Sequence, residues 1–105
     1  MQKTVLLTDK GICVRLSYST ATLLVIQLLS YLHDSPCDGE CLSFVRGFVS
    51  GINSAVINTR RFHPFAKFIS FYFPSHSFES IRAYVLEWSS YDELLTSFFN
   101  GTYNE

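Results

Sequence analysis

Apolar side chains recur at every second residue near the start of this chain and at every third or fourth residue after that. Over 4–18, Val5 and Leu7 lead into Asp9-Lys10-Gly11, whose glycine can take positive φ. Ile12, Val14, Leu16 and Tyr18 then alternate with Cys13, Arg15 and Ser17, which predicts a hairpin with one buried face. From residue 20 the pattern turns helical. Over 20–33 the polar residues Thr22, Gln27 and Ser30 share one arc and the rest is apolar, which predicts the most buried helix of the fold. His33 and Asp34 end it. Ser35 and Pro36 suit the N-cap and first turn of a second helix, with Asp38 completing a box-like start.

That second helix is expected to run to about Asn58. Cys37, Cys41, Phe44, Phe48, Ile52 and Ala55 form its core-facing stripe. Ser43, Gly47, Gly51 and Ala55 form a row of small residues that lets a neighbouring backbone approach, by preference helix 20–33. Each glycine in that row costs about 1 kcal/mol of helix propensity against alanine, so packing must offset it. Arg60 and Arg61 follow the last turn, where cations favour the helix dipole.

Beyond His63-Pro64, residues 66–73 read as an aromatic strand ended by Pro74. Ile69, Phe71 and Phe73 point one way and Phe68, Ser70 and Tyr72 the other, so the strand is covered twice or leaves one aromatic face open. Ser77 is expected to cap a helix with Phe78, Ile81, Val85 and Trp88 on one face. Ser90-Tyr91-Asp92-Glu93 then reads as a capping box for a last helix carrying Leu94, Leu95, Phe98 and Phe99, which Asn100-Gly101 ends. The order ββααβαα argues for an α+β fold. A small antiparallel sheet, made of the N-terminal hairpin and a central aromatic strand, packs with about four helices. Residues 1–105 read as a single compact domain, and 1–18 as folded structure rather than a leader.

Composition sharpens the picture in two ways. Only 16% of residues are charged, and ten Phe, six Tyr and one Trp take their place. Phe44, Phe48, Ile69, Phe71, Phe78, Trp88 and Phe98 lie on faces that should meet in one core, whereas Phe62, Phe65, Phe68, Tyr72 and Tyr91 do not. The net charge of −1 excludes binding driven by bulk charge to nucleic acid or anionic lipid. The apolar stretch 22–32 is shorter than the roughly 20 residues that span a bilayer, and no membrane partner is expected. Three cysteines do not make a disulfide framework, so free thiols and a cytoplasmic location are expected.

Few residues suggest chemistry. His33, Cys37 and Cys41, with Cys13, could make a Cys3His zinc site, but the spacing is not that of a zinc motif and core packing of the cysteines is the preferred reading. Cys37 with His33 could form a nucleophile and base. Asp34, Asp38 and Glu40 oppose a thiolate there, so no enzyme is expected and no cofactor is implied. His63 and His76 read as loop histidines, and Glu79 and Glu87 as solvent-facing.

The leading expectation is therefore a non-catalytic protein that binds and inhibits or neutralises a protein partner, as immunity proteins, antitoxins and phage inhibitors do. Its surface would draw on Asp34, Asp38, Glu40, Arg60, Arg61, Phe62, Phe65, Phe68, Tyr72 and Tyr91, and its partner would be a cationic toxin or a host enzyme. One alternative is a nucleic-acid-binding or metal-stabilised regulatory domain using Arg60, Arg61 and the aromatic strand. Another is a homodimer packed through Ser43, Gly47, Gly51 and Ala55.

Overall fold

A computed structural model of the chain describes residues 4–105. Residues 1–3, the start of the stretch expected to be folded, lie outside the described residues. The elements follow in the order β1 (Val5–Thr8), β2 (Gly11–Ser17), α1 (Tyr18–Asp34), α2 (Gly39–Phe62), β3 (Phe68–Phe73), α3 (Ser75–Trp88) and α4 (Glu93–Phe99). This is the α+β arrangement with a small antiparallel sheet that the patterning predicts, in strand order β1-β2-β3.

The hairpin turn needs its glycine twice over. Gly11 has φ +113°, and a Cβ there would sit 2.7 Å from the carbonyl oxygen of Phe73. Thr8 completes the turn by donating from Oγ1 to the Gly11 carbonyl at 2.8 Å. Ser17 then ends β2 and caps α1, its Oγ accepting from Thr20 N.

Ile12, Val14 and Leu16 of β2 and Ile69, Phe71 and Phe73 of β3 turn to the helices. Phe48 of α2 sits at the centre, with ring centroids of Phe71, Phe73, Phe78, Phe98 and Phe99 all between 5.2 and 6.2 Å away. Each such buried ring contributes roughly 1.5–3 kcal/mol of transfer free energy, so this cluster holds the strands, α2, α3 and α4 to one another.

The small-residue row finds a different neighbour from the one expected. A Cβ on Gly51 would lie 3.0 Å from the Phe71 ring, and one on Gly47 3.9 Å from that of Phe73. The row makes room for aromatic side chains of β3, not for α1. A homodimer through it would require those rings to leave.

Helix α1 is not the most buried helix. It buries Thr20, Ala21, Leu24 and Leu28 but exposes Leu23, Ile26 and Leu29. Its inner arc meets α2, α4 and β2, and no element among the described residues covers the outer one. Trp88 is also outside the core, at 43% exposure, although Val85 before it and Ser89 after it are buried. The partly buried Phe44 packs against the core as expected.

Several boundaries shift for local reasons. α2 starts at Gly39 with Asp38 as N-cap, because Ser35 Oγ instead accepts from Cys37 N at 3.2 Å and from Tyr84 Oη at 3.1 Å. It continues to Phe62, its last turn closed by His63 N donating to Thr59 O. β3 begins at Phe68, after a turn. α3 begins at Ser75 rather than after Ser77, with Phe78 N donating to the Pro74 carbonyl. His76 is thus helical and sits edge-on to Phe44 at 5.9 Å. Asp92, not Ser90, caps α4 by accepting from Leu95 N at 3.1 Å. Among the described residues, no helix is long and apolar enough to cross a membrane.

Candidate functional site

The residues singled out from the sequence do not form one surface. Helix α2 has 24 residues, about 36 Å at 1.5 Å per residue. The whole molecule is 39 Å long, so this helix sets its long axis. Asp38 and Glu40 stand at one end of it, and Arg60, Arg61 and Phe62 at the other. Charges of this sign at each terminus suit the helix dipole.

At the acidic end, α1 delivers Ser30, Tyr31 and Asp34, and the α3–α4 junction delivers Trp88 and Tyr91. With Ser35 they line a cleft of about 220 Å³. Tyr31 and Tyr91 meet edge-on with centroids 6.0 Å apart, which fixes one wall without filling the space. Tyr91 is 77% exposed. Desolvation, and after it the charge of Asp92 and the neighbouring Tyr91 phenol, pushes the Tyr31 hydroxyl above the ordinary value for tyrosine. The Gln27 amide, turned so that its nitrogen faces Asp92, lies 3.2 Å from both carboxylate oxygens and braces this acid. The cleft is thus walled by rings and carries the Asp34 carboxylate, an arrangement that accepts an alkyl-ammonium or guanidinium side chain. Tyr31 and Trp88 are missed by sequence reasoning. The three-residue step from Val85 to Trp88 and on to Tyr91 was the available signal, but it equally fits a core face.

Cys37 and Cys41 flank the start of α2 and are joined in a disulfide across a separation of 4 residues, with Cα atoms 5.6 Å apart. This corrects the expectation of free thiols. The turn at 35–38 swings Cys37 onto the first turn of the helix, where Cys41 already lies. A bonded Cys37 is neither a nucleophile for His33 nor a zinc ligand. Cys13 stays free and partly exposed on the outer sheet face, opposite Leu6 and Tyr72 in register. Among the described residues no group of three or more His, Cys, Asp and Glu could hold a metal ion.

At the other end, Arg60 lies over the Tyr18 ring at 5.2 Å and Arg61 over Phe62 at 5.4 Å. The outer face of the sheet continues this pairing. Arg15 covers Phe68 at 4.9 Å and Lys10 approaches Tyr72 at 5.9 Å. The only ion pair among the described residues is Arg82 with Glu79, on α3. Phe62, Phe65, Phe68, Tyr72 and Tyr91 are all exposed, as their faces predict.

Comparison with protein families, with curated proteins and with solved structures finds no match for this chain.

Proposed function

We propose that this is a small non-catalytic protein that binds a basic partner protein and inhibits or neutralises it, as an immunity protein, antitoxin or phage inhibitor does. The observation that supports this is the cleft lined by Tyr31, Asp34, Trp88 and Tyr91 at the acidic end of α2. A lysine or arginine of the partner would enter between the rings and meet the Asp34 carboxylate. Asp38, Glu40 and Glu93 would steer its approach. Exposed aromatic anchors beside a polar rim are what concentrated binding energy requires. The gene's neighbours separate the two settings: an adjacent toxin gene favours immunity, and phage early genes favour host inhibition.

Capture by the tagged chain from native lysate of its source cells tests this reading. A stoichiometric basic protein should be retained, released by salt, and lost with Tyr91→Ala or Asp34→Asn. Absence of any stoichiometric protein, or capture indifferent to both substitutions, would overturn it. The proposed compartment is the cytoplasm. The Cys37–Cys41 pair reports on this, since a reducing cytoplasm holds such a pair as thiols and an oxidising compartment keeps it bonded. Alkylation before lysis decides, since a cytoplasmic pair should be trapped as two thiols.

A second reading rests on the outer sheet face, where Phe68 and Tyr72 stand exposed beside Arg15 and Lys10. Such a face can stack unpaired bases and hold phosphates. A gel shift with a single-stranded oligonucleotide that weakens steeply with salt would favour it over the acidic cleft.

A further inference from the structure

The turn between α2 and β3 has the shape of a small prong. Ala66 N donates to His63 O at 3.0 Å, closing a four-residue turn with Pro64 and Phe65 at its corners. Proline at the first corner presets its own φ and so favours the turn, which places the second corner at the tip. That second corner is Phe65, which is 96% exposed and touches almost nothing of its own chain. Phe62, at the base of the turn, is 65% exposed.

Such rings are costly in water, and nothing in the fold shelters them. The free charges around them are cationic. No Asp or Glu occurs between Glu40 and Glu79, a span that contains Arg46, Arg60, Arg61 and Lys67. Arg15 faces the same region from β2, whose Ser17 pairs with Phe68. The one carboxylate nearby, Glu105, is already held by Ser17 and Thr20. Arg15, Arg60 and Arg61 rest on aromatic rings, and none of these cations, Lys67 included, forms an ion pair among the described residues.

We propose that the Phe62–Phe65 prong, ringed by Arg15, Arg60, Arg61 and Lys67, docks on an anionic phospholipid surface. Charge complementarity and shape favour this occupant. A protein partner would need a pocket matched to two protruding rings, whereas the headgroup region admits aromatic side chains without one and places phosphates and carboxylates beside the cations. The net charge of −1 does not oppose this contact, because Asp34, Asp38 and Glu40 stand at the far end of α2, about 36 Å away by the helix's length, beyond the reach of screened interactions at physiological salt. The inference is independent of the acidic cleft.

Co-sedimentation of the full chain with vesicles of phosphatidylcholine alone, and of phosphatidylcholine with phosphatidylserine, tests it. Binding should occur on the phosphatidylserine vesicles and fall as salt rises. Phe65→Ser and the pair Arg60→Gln with Arg61→Gln should each weaken it on the order of tenfold, with unchanged circular dichroism. In a Phe65→Trp, Trp88→Phe variant the indole emission should shift to the blue on binding. Sedimentation no greater than with phosphatidylcholine alone, an unchanged affinity in Phe65→Ser, or tighter binding to a single-stranded oligonucleotide than to vesicles would each overturn the proposal.

Discussion

The two ends of α2 use the same materials, aromatic rings and charge, to opposite effect. At the acidic end Tyr31 comes from α1 and Trp88 and Tyr91 from the distant α3–α4 junction, and together they surround a hollow. At the basic end Phe62 and Phe65 come from one short segment and project outward. Concavity requires several elements to converge, so the first end depends on tertiary packing. Projection requires only a stiff turn, so the second depends on local sequence. The difference explains why the first suits a single side chain of a structured partner and the second a soft, extended surface. Helix α2 is the rod that keeps them apart, and the Phe48 cluster holds that rod to the sheet.

The largest effect should come from cutting the rod loose. Phe48→Ala empties the centre of five ring contacts and is expected to cost about 3–5 kcal/mol, measured as a fall in denaturant midpoint. Both ends should fail together in this variant. Retention of cleft binding with loss of vesicle binding, or the reverse, would show that the ends do not share a framework. Next comes the Cys37–Cys41 bond, which touches only the acidic end. Changing both cysteines to serine should cost about 2 kcal/mol on loop entropy alone. Partner capture should weaken in this double variant while vesicle binding stays unchanged.

How much of this was legible in the sequence differs between the same two ends. The basic prong could be read directly, because Arg60-Arg61-Phe62-His63-Pro64-Phe65 is continuous and each ring's lack of a core face shows in its spacing. The hairpin and both faces of β3 were legible for the same reason, since period-two alternation is local. The acidic cleft was not. Asp34 and Tyr91 could be flagged, but nothing local says that α1 and the α3–α4 junction meet. Helical spacing puts Trp88 on the core face of α3, but spacing marks a face without saying which of its residues other elements cover. The outer arc of α1 was misjudged likewise: Leu23, Ile26 and Leu29 are apolar, and only the number of neighbouring elements limits how much of a helix can be covered. The glycine row of α2 marks where space is needed, but the spacing points to a neighbouring backbone, whereas the rings of Phe71 and Phe73 fill that space.

Acid should separate the ends further. Burial raises the Glu105 carboxyl, but hydrogen bonds from Ser17 Oγ, Thr20 Oγ1 and Ser17 N outweigh that and hold it below the ordinary glutamate value of 4.5. A folded value below the unfolded one means stability that is fully present above pH 4.5 and lost as pH falls through the depressed value. Thermal melts should therefore show Glu105→Gln less stable than the parent at pH 7, with the gap closing as pH is lowered below 4. A gap that stays constant with pH would show that the contact does not depend on the charge of Glu105.

The smallest effects give the sharpest comparison, because they set one exposed ring at each end side by side. Trp88 is less than half exposed and forms a wall of the cleft, so Trp88→Ala should cost roughly 1 kcal/mol, the centre of the range for point mutations. Phe65 supports nothing, so Phe65→Ser should lie within about 0.5 kcal/mol of the parent. Paired denaturation curves read both. A ring that can be removed without loss of stability is kept for some purpose other than folding, and that inference fails if Phe65→Ser proves as destabilising as Trp88→Ala.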